Sequence, residues 1–215
     1  MKVMLVNGSP HEKGSTAFAL SIIAETLEEE GIEWELFHIG KKPITGCLGC
    51  KACTKLGKCV IDDCVNEFVA KCSEIDGFVF GTPVYYAHAN GALLAFLDRV
   101  FYSAASSGKA VFRMKPGACA IALRRAGATA TYDNINKYFG ISEMPIISSC
   151  YWDMIHGRTP EIAKDDIEGI RVMRQIGRNM AWFLKCKAAG EAAGIPLPKA
   201  EVAADWYRNS ALSKG

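Results

Sequence analysis

The chain has 215 residues, half of them hydrophobic, and a formal net charge of +2. That length suits one domain of roughly 100–200 residues with a substantial core. A near-neutral balance implies neither general nucleic-acid binding nor an acidic docking face, both of which depend on a strong, clustered imbalance.

The opening apolar run, residues 2–6, is cut off by Asn7-Gly8-Ser9-Pro10 and is too short for a signal core. Residues 77–97 contain no Asp, Glu, Lys or Arg, but Thr82-Pro83 and His88-Ala89-Asn90 interrupt them where hydrocarbon penalises a broken backbone. The expectation is a cytoplasmic protein with neither membrane nor nucleic acid as a partner. Nine cysteines, an odd number, point to thiol or metal chemistry rather than a disulfide framework.

In chain order, residues 2–6 predict a buried strand ending at a Gly-Ser-Pro turn. A helix is expected over 16–30, with Phe18, Leu20, Ile22, Ile23 and Leu27 inward, four glutamates outward and Gly31 as its stop. Residues 32–39 nearly alternate and predict a second strand. A cysteine-rich loop follows, then a short helix over 65–73 and a fully apolar strand over 77–80. A helix over 91–102 directs Phe96, Leu97, Val100 and Phe101 to the core. Residues 117–123 form a small-residue strand, 131–139 a helix and 145–148 a fifth short strand. A long helix over about 162–187 precedes a tail without periodicity. Five short apolar strands alternating with helices predict an α/β fold, an open parallel sheet covered on both faces. Ligands of such sheets sit beyond the strands' carboxyl ends, at the switch point.

Asn7-Gly8-Ser9-Pro10-His11-Glu12-Lys13-Gly14-Ser15-Thr16 joins the first strand to the first helix. Its glycines permit a tight turn, the helix start offers free amides, and Ser9, Ser15 and Thr16 add hydroxyl donors suited to phosphate. A triphosphate loop needs four residues between its glycines and then Lys; here there are five, and Ser15 takes the lysine position. The three-glycine dinucleotide pattern is also absent. The ordinary alternative is a plain turn with Ser15 as N-cap. After the third strand, Pro83, Val84, Tyr85 and Tyr86 offer a stiff exit and flat aromatic faces. After the fourth, Arg124-Arg125-Ala126-Gly127-Ala128 combines positive charge with small residues that let backbone approach a ligand edge.

Together these loops resemble those of the NADPH-dependent FMN reductase branch of flavodoxin-like proteins, over residues 1–188. Gly8-Ser9-Pro10 with Gly14-Ser15-Thr16 resembles its phosphate loop, although many relatives have Asn where this chain has Ser15. Thr82-Pro83-Val84-Tyr85-Tyr86, Asn90-Gly91 and Phe96-Leu97-Asp98-Arg99 resemble its ring-binding segment. The resemblance implies a flavodoxin-like three-layer sandwich with a five-stranded parallel sheet, an FMN-binding domain over 1–188 and a tail over 189–215. It implies Ser9, Pro10, Gly14, Ser15 and Thr16 at the phosphate, Pro83 to Tyr86 along the isoalloxazine, and Arg124, Gly127 and Ala128 at its edge. FMN would be the cofactor and NAD(P)H the donor. The acceptor would be a quinone, nitro compound, flavin or protein, and the assembly a homodimer or homotetramer. The alternatives are a non-enzymatic electron carrier and a zinc-stapled module without flavin.

Cys47, Cys50, Cys53 and Cys59 follow the spacing C-x2-C-x2-C-x5-C, with Gly46, Gly49 and Gly57 among them. Sulfurs so spaced can wrap one small centre, which resembles the 4Fe-4S loops of iron–sulfur flavoproteins. A zinc site and free or structural thiols are the other readings. Cys72, Cys119, Cys150 and Cys186 read as small buried hydrophobes. Residues 149–157, expected just after the fifth strand, place Trp152 and His156 either over the flavin, where substrate enters, or in structural roles.

Overall fold

The structure is a computed structural model that describes residues 1–200. The chain divides into a main unit, Met1–Lys185, and a short unit beginning at Cys186. The main unit follows from strand alternation. In β1 (Lys2–Asn7), Met4 and Val6 enter one apolar cluster while Val3 and Leu5 enter another on the opposite face. In β3 (Gly77–Tyr85), Phe78 and Phe80 join the first cluster and Val79 the second. β5 (Gly117–Leu123) is buried at every position, as a central parallel strand must be.

The remaining elements are α1 (Ser15–Glu29), β2 (Glu33–His38), α2 (Cys53–Leu56), α3 (Cys64–Lys71) and β4 (His88–Ala89). They continue with α4 (Gly91–Ser106), α5 (Ala128–Ile141), β6 (Met154–His156), α6 (Pro160–Ala163) and α7 (Ile167–Ala192). The parallel strands order as β2-β1-β3-β5-β6, and β4 pairs antiparallel with the end of β3. α3, α4 and α5 supply the Phe-rich layer, where Phe68 meets Phe37 and Phe96 at ring distances of 5.1 Å each. α1 and the part of α7 bearing Val172, Met173, Ile176 and Met180 cover the other face. Burying each of these large side chains contributes about 1.5–3 kcal/mol. The result is the expected flavodoxin-like three-layer sandwich around five parallel strands.

Four differences from the sequence reading have local causes. β3 continues five residues past Phe80, because residues 82–83 stay in register with Ile121 and Ala122, and Val84 and Tyr85 then fold back on β4. α4 and α5 run longer than periodicity alone indicates, α5 starting at Ala128 against the left-handed Gly127. The expected strand over 145–148 reduces to one bridge, Gly117 with Ile146. The chain then leaves the ladder, held by the Ser149 hydroxyl on the Val172 carbonyl at 2.6 Å, and returns only at Met154 as β6. The expected single last helix is two: Thr159 caps α6 with Pro160 in its first turn, and Asp166 accepts from the Gly169 amide at the start of α7.

Candidate cofactor site

The loops after β1, β3 and β5 lie at the carboxyl end of the sheet, across the β1/β3 switch in strand order. α1 starts on Gly14 as N-cap, with extended backbone, no side-chain cap and no acidic residue in its first turn. Ser15 is therefore the first helical residue and not the N-cap of an ordinary turn. Its Oγ is buried and has no hydrogen-bond partner. Thr16 beside it is 2% exposed. An unsatisfied buried hydroxyl costs about 1–3 kcal/mol, and an uncapped helix start carries partial positive charge. Both defects are relieved by one anionic oxygen. The residues fit a terminal phosphate.

The loop is shaped in advance. The Gly8 amide donates to the Gly81 carbonyl at 2.8 Å, locking the exits of β1 and β3 together. The Ser9 amide donates to Asn7 Oδ1 at 3.0 Å, and Ser9 Oγ accepts from the His11 amide at 3.1 Å. That leaves the Ser9 hydroxyl proton available for a ligand. Pro10 is half-buried beside it. Asn90 is the joint between loops: its Nδ2 donates to the Gly8 carbonyl at 2.9 Å, its amide donates to Thr82 Oγ1, and its Oδ1 caps α4 by accepting from Ala92. An Asn just before a helix start is a legible N-cap, but its reach to Gly8, 82 residues away, is not.

Pro83, Val84 and Tyr85 belong to β3 rather than to a loop. Tyr86 and Ala87 form the two-residue turn into β4, both with positive φ, at 50° and 65°. This pattern defines a type I′ hairpin. The tip is displayed: Tyr85 is 41% and Tyr86 99% exposed. Gly127 packs against Ala87, Ala128 is buried behind it, and Arg124 and Arg125 are exposed after β5.

The cysteine loop has a different organiser. Cys47 and Cys50 are exposed, Cys53 is buried at the start of α2, and Cys59 is intermediate. Among the described residues, no group of three or more His, Cys, Asp or Glu side chains is arranged to hold a metal ion. As placed, the four thiols do not fit a cluster. Cys59 Sγ instead accepts from Arg99 Nε and Nη2 at 3.4 and 3.3 Å. Arg99, 1% exposed on α4, is also paired with Asp63, the N-cap of α3. Burial opposes its charge, but the bonds to Asp63 and Cys59 outweigh that and hold its pKa above the ordinary value.

Trp152 is half exposed and leans on Tyr151 with ring centroids 4.7 Å apart. It precedes β6 rather than following a fifth strand, so it does not stand at a strand's carboxyl end. His156 does: it is exposed at the end of β6, level with Leu123, and its amide donates to Asp166 Oδ2 at 2.6 Å. Between them Asp153 is fully buried, accepting from the Ser149 amide and the Cys119 thiol. Burial pushes its carboxyl to about 7. Nothing in the sequence marks it apart from other surface acids. Of the cysteines read as buried hydrophobes, Cys72 and Cys119 are buried, whereas Cys150 and Cys186 are exposed.

The sheet and its loops define a flavodoxin-like protein whose first loop fits a terminal phosphate. Residues 1–158 match the NADPH-dependent FMN reductase family, and the chain belongs to it. An iron-sulfur flavoprotein of Methanocaldococcus jannaschii is 31% identical over 191 residues, covering 86% of this chain and 98% of that protein. A second iron-sulfur flavoprotein of the same organism is 32% identical over 188 residues, covering 81% and 92%. Among solved structures, an NAD(P)H:quinone oxidoreductase from Methanothermobacter marburgensis superposes with a TM-score of 0.67 at 15% identity, covering 84% of this chain and 96% of that one. An archaeal flavodoxin superposes at 0.57 and 13% identity, covering 86% and 99%. These two structural likenesses concern the fold. Among the described residues no helix is long and apolar enough to cross a membrane.

Proposed function

We propose that the protein binds one FMN non-covalently, accepts a hydride from NAD(P)H and passes the reducing equivalents to a quinone, nitro compound, flavin or protein acceptor. One observation carries the reading: the buried, unpartnered Ser15 hydroxyl at an uncapped helix start, on the carboxyl edge of a flavodoxin-like sheet. Ser9, Ser15, Thr16 and the first amides of α1 bind the phosphate, with Pro10 and Gly14 shaping the turn. Pro83, Val84, Tyr85 and Tyr86 form a platform for the ring. Gly127 and Ala128 close on its edge, and Arg124 supplies positive charge that favours an anionic reduced state. The flavin, when bound, supplies the hydride chemistry, so no side chain has to act as acid or base for hydride arrival. His156, at the carboxyl end of β6, bounds the acceptor's side. The working form is a soluble cytoplasmic homodimer or homotetramer whose FMN domain spans residues 1–188. Heat release of the cofactor and its identification by mass test the reading: FMN is expected, and FAD or no flavin overturns it. Anaerobic mixing with NADPH or NADH then identifies the donor by bleaching of the flavin bands.

A second reading is favoured by the C-x2-C-x2-C-x5-C spacing, together with kinship over nearly the full length of proteins named iron-sulfur flavoproteins. In it, Cys47, Cys50, Cys53 and Cys59 hold a 4Fe-4S centre and the chain is an electron carrier. About four iron atoms per chain after anaerobic purification or reconstitution supports it. Protein free of iron after both treatments excludes it.

A further inference from the structure

Arg99 binds the cysteine loop from both ends. Its Nη1 donates to the Thr45 carbonyl at 3.4 Å, before the first cysteine of the loop. Its Nη2 donates to the Ile61 carbonyl at 3.0 Å and to Asp63 Oδ1 at 2.8 Å, beyond the last. Between these stems, Nε and Nη2 fork onto Cys59 Sγ. With Nη1 also donating to Asp63 Oδ2, and the two Nη2 hydrogens shared among three acceptors, all five N–H donors of the guanidinium face this one loop. A second side chain completes the closure: Asn66 donates to the Cys59 and Ile61 carbonyls at 3.0 and 3.2 Å and accepts from the Cys59 amide at 2.9 Å. Asp63 meanwhile links the same guanidinium to the first turn of α3 through the Val65 amide. A buried Arg anchored on a core helix is costly unless fully paired, and here every partner lies between residues 45 and 63.

We propose that Arg99 is the positioning residue of the cysteine loop. The buried guanidinium closes the loop and sets the orientation of Cys59, while Cys47 and Cys50 stay exposed between the stems. The loop is tied through carbonyls, a carboxylate and one sulfur to a cation from α4. The inference does not depend on whether the loop takes iron, and it assigns the thiols unequal roles: a fixed Cys59 and Cys53, and an accessible Cys47 and Cys50.

The test is site-resolved alkylation of full-length, flavin-loaded protein stripped of iron by a chelator under reducing conditions, read by peptide mass. In the wild type, Cys59 should label about tenfold more slowly than Cys47 and Cys50, the protection expected of a locally closed segment. In Arg99→Lys the charge remains but the fork is lost, and Cys59 should approach the rate of Cys47 while the core thiols Cys72 and Cys119 stay protected. In Arg99→Ala, ethylguanidinium at low millimolar concentration should restore the protection of Cys59 and ethylammonium should not. A merely space-filling role for Arg99 gives no such selectivity. If the core thiols of the Arg99 variants label freely, Asp63→Asn serves instead, with Cys59 accelerating on an otherwise protected background. Cys59 labelling as fast as Cys47 in the iron-free wild type overturns the proposal. So does protection of Cys59 that survives the loss of the guanidinium. Loss of flavin with Cys59 protection intact would instead count against the FMN reading alone.

Discussion

Gly127 and Ala87 are in such close contact that a Cβ placed on Gly127 would stand 2.4 Å from the Ala87 Cα. The contact pins the β3–β4 hairpin tip, which bears Tyr85 and Tyr86, to the start of α5. Gly127 also has a φ of +98°, which side-chain-bearing residues rarely adopt. Gly127→Ala should therefore destabilise the protein by about 1–3 kcal/mol and weaken flavin binding as the two loops separate. Urea denaturation of the flavin-free protein and a flavin titration measure the two effects. A variant as stable as the wild type means that the tip yields at little cost.

Ser15 gives a prediction of opposite character. Because its buried Oγ has no partner in the protein, removing it in Ser15→Ala should leave flavin-free stability unchanged or slightly raised. The same change should lower FMN affinity by about tenfold or more, the worth of a hydrogen bond to a charged phosphate. Thr16→Val should act in the same direction. Calorimetry of the flavin-free protein beside a fluorescence titration separates the two. Undiminished affinity in both variants places the phosphate elsewhere.

Why these loops are legible in sequence, and the rest less so, is a matter of range. Gly8, Ser9, Gly14, Ser15 and Thr16 lie within one strand-to-helix turn, so their proximity follows from their order in the chain. Arg99 is different. It stands beside Asp98 and looks like half of an exposed charge pair, although it is three residues after Phe96 and one before Val100, on the face that those residues bury. Even with that clue, its partners at 45, 59, 61 and 63 depend on tertiary placement. The strand expected over 145–148 failed for a related reason. An apolar run beside a sheet reads as a strand, but strand pairing depends on the partner, and here a single bridge from Ile146 to Gly117 forms before the chain leaves the ladder.

Asp153 should make stability depend on pH in an unusual direction. Its folded carboxyl titrates at about 7 through burial, whereas an unfolded Asp titrates at about 3.9. Between those values the folded state holds a proton that the unfolded state releases. The contribution to stability is therefore greatest below about pH 4, falls as pH rises toward 7, and is level above, a change of about 4 kcal/mol. Cys119, which faces it and is raised well above the ordinary thiol range by burial, stays protonated through that window. Asp153→Asn should flatten this segment of the profile. Urea midpoints from pH 4.5 to 8 measure it, and parallel slopes in the two proteins would falsify the assignment.

Tyr86 holds two roles that one substitution should set against each other. Its φ of 50° at the hairpin turn costs a bulky residue about 1–2 kcal/mol relative to one that tolerates left-handed backbone, as Asn does. Its ring is 99% exposed, so little packing within this chain offsets that cost. Tyr86→Asn should accordingly stabilise the flavin-free protein by about 0.5–1 kcal/mol. If the ring lies along the isoalloxazine, the same change removes a stacking contact worth about 0.5–1.5 kcal/mol and lowers FMN affinity. Tyr86→Phe separates the terms further: it keeps the face and the strained backbone, so both stability and affinity should stay near wild type. Denaturation of the flavin-free variants with flavin titrations of the same preparations reads out the pair. A gain in stability with affinity unchanged removes Tyr86 from the ring platform and leaves Tyr85 and the β3 edge to carry it.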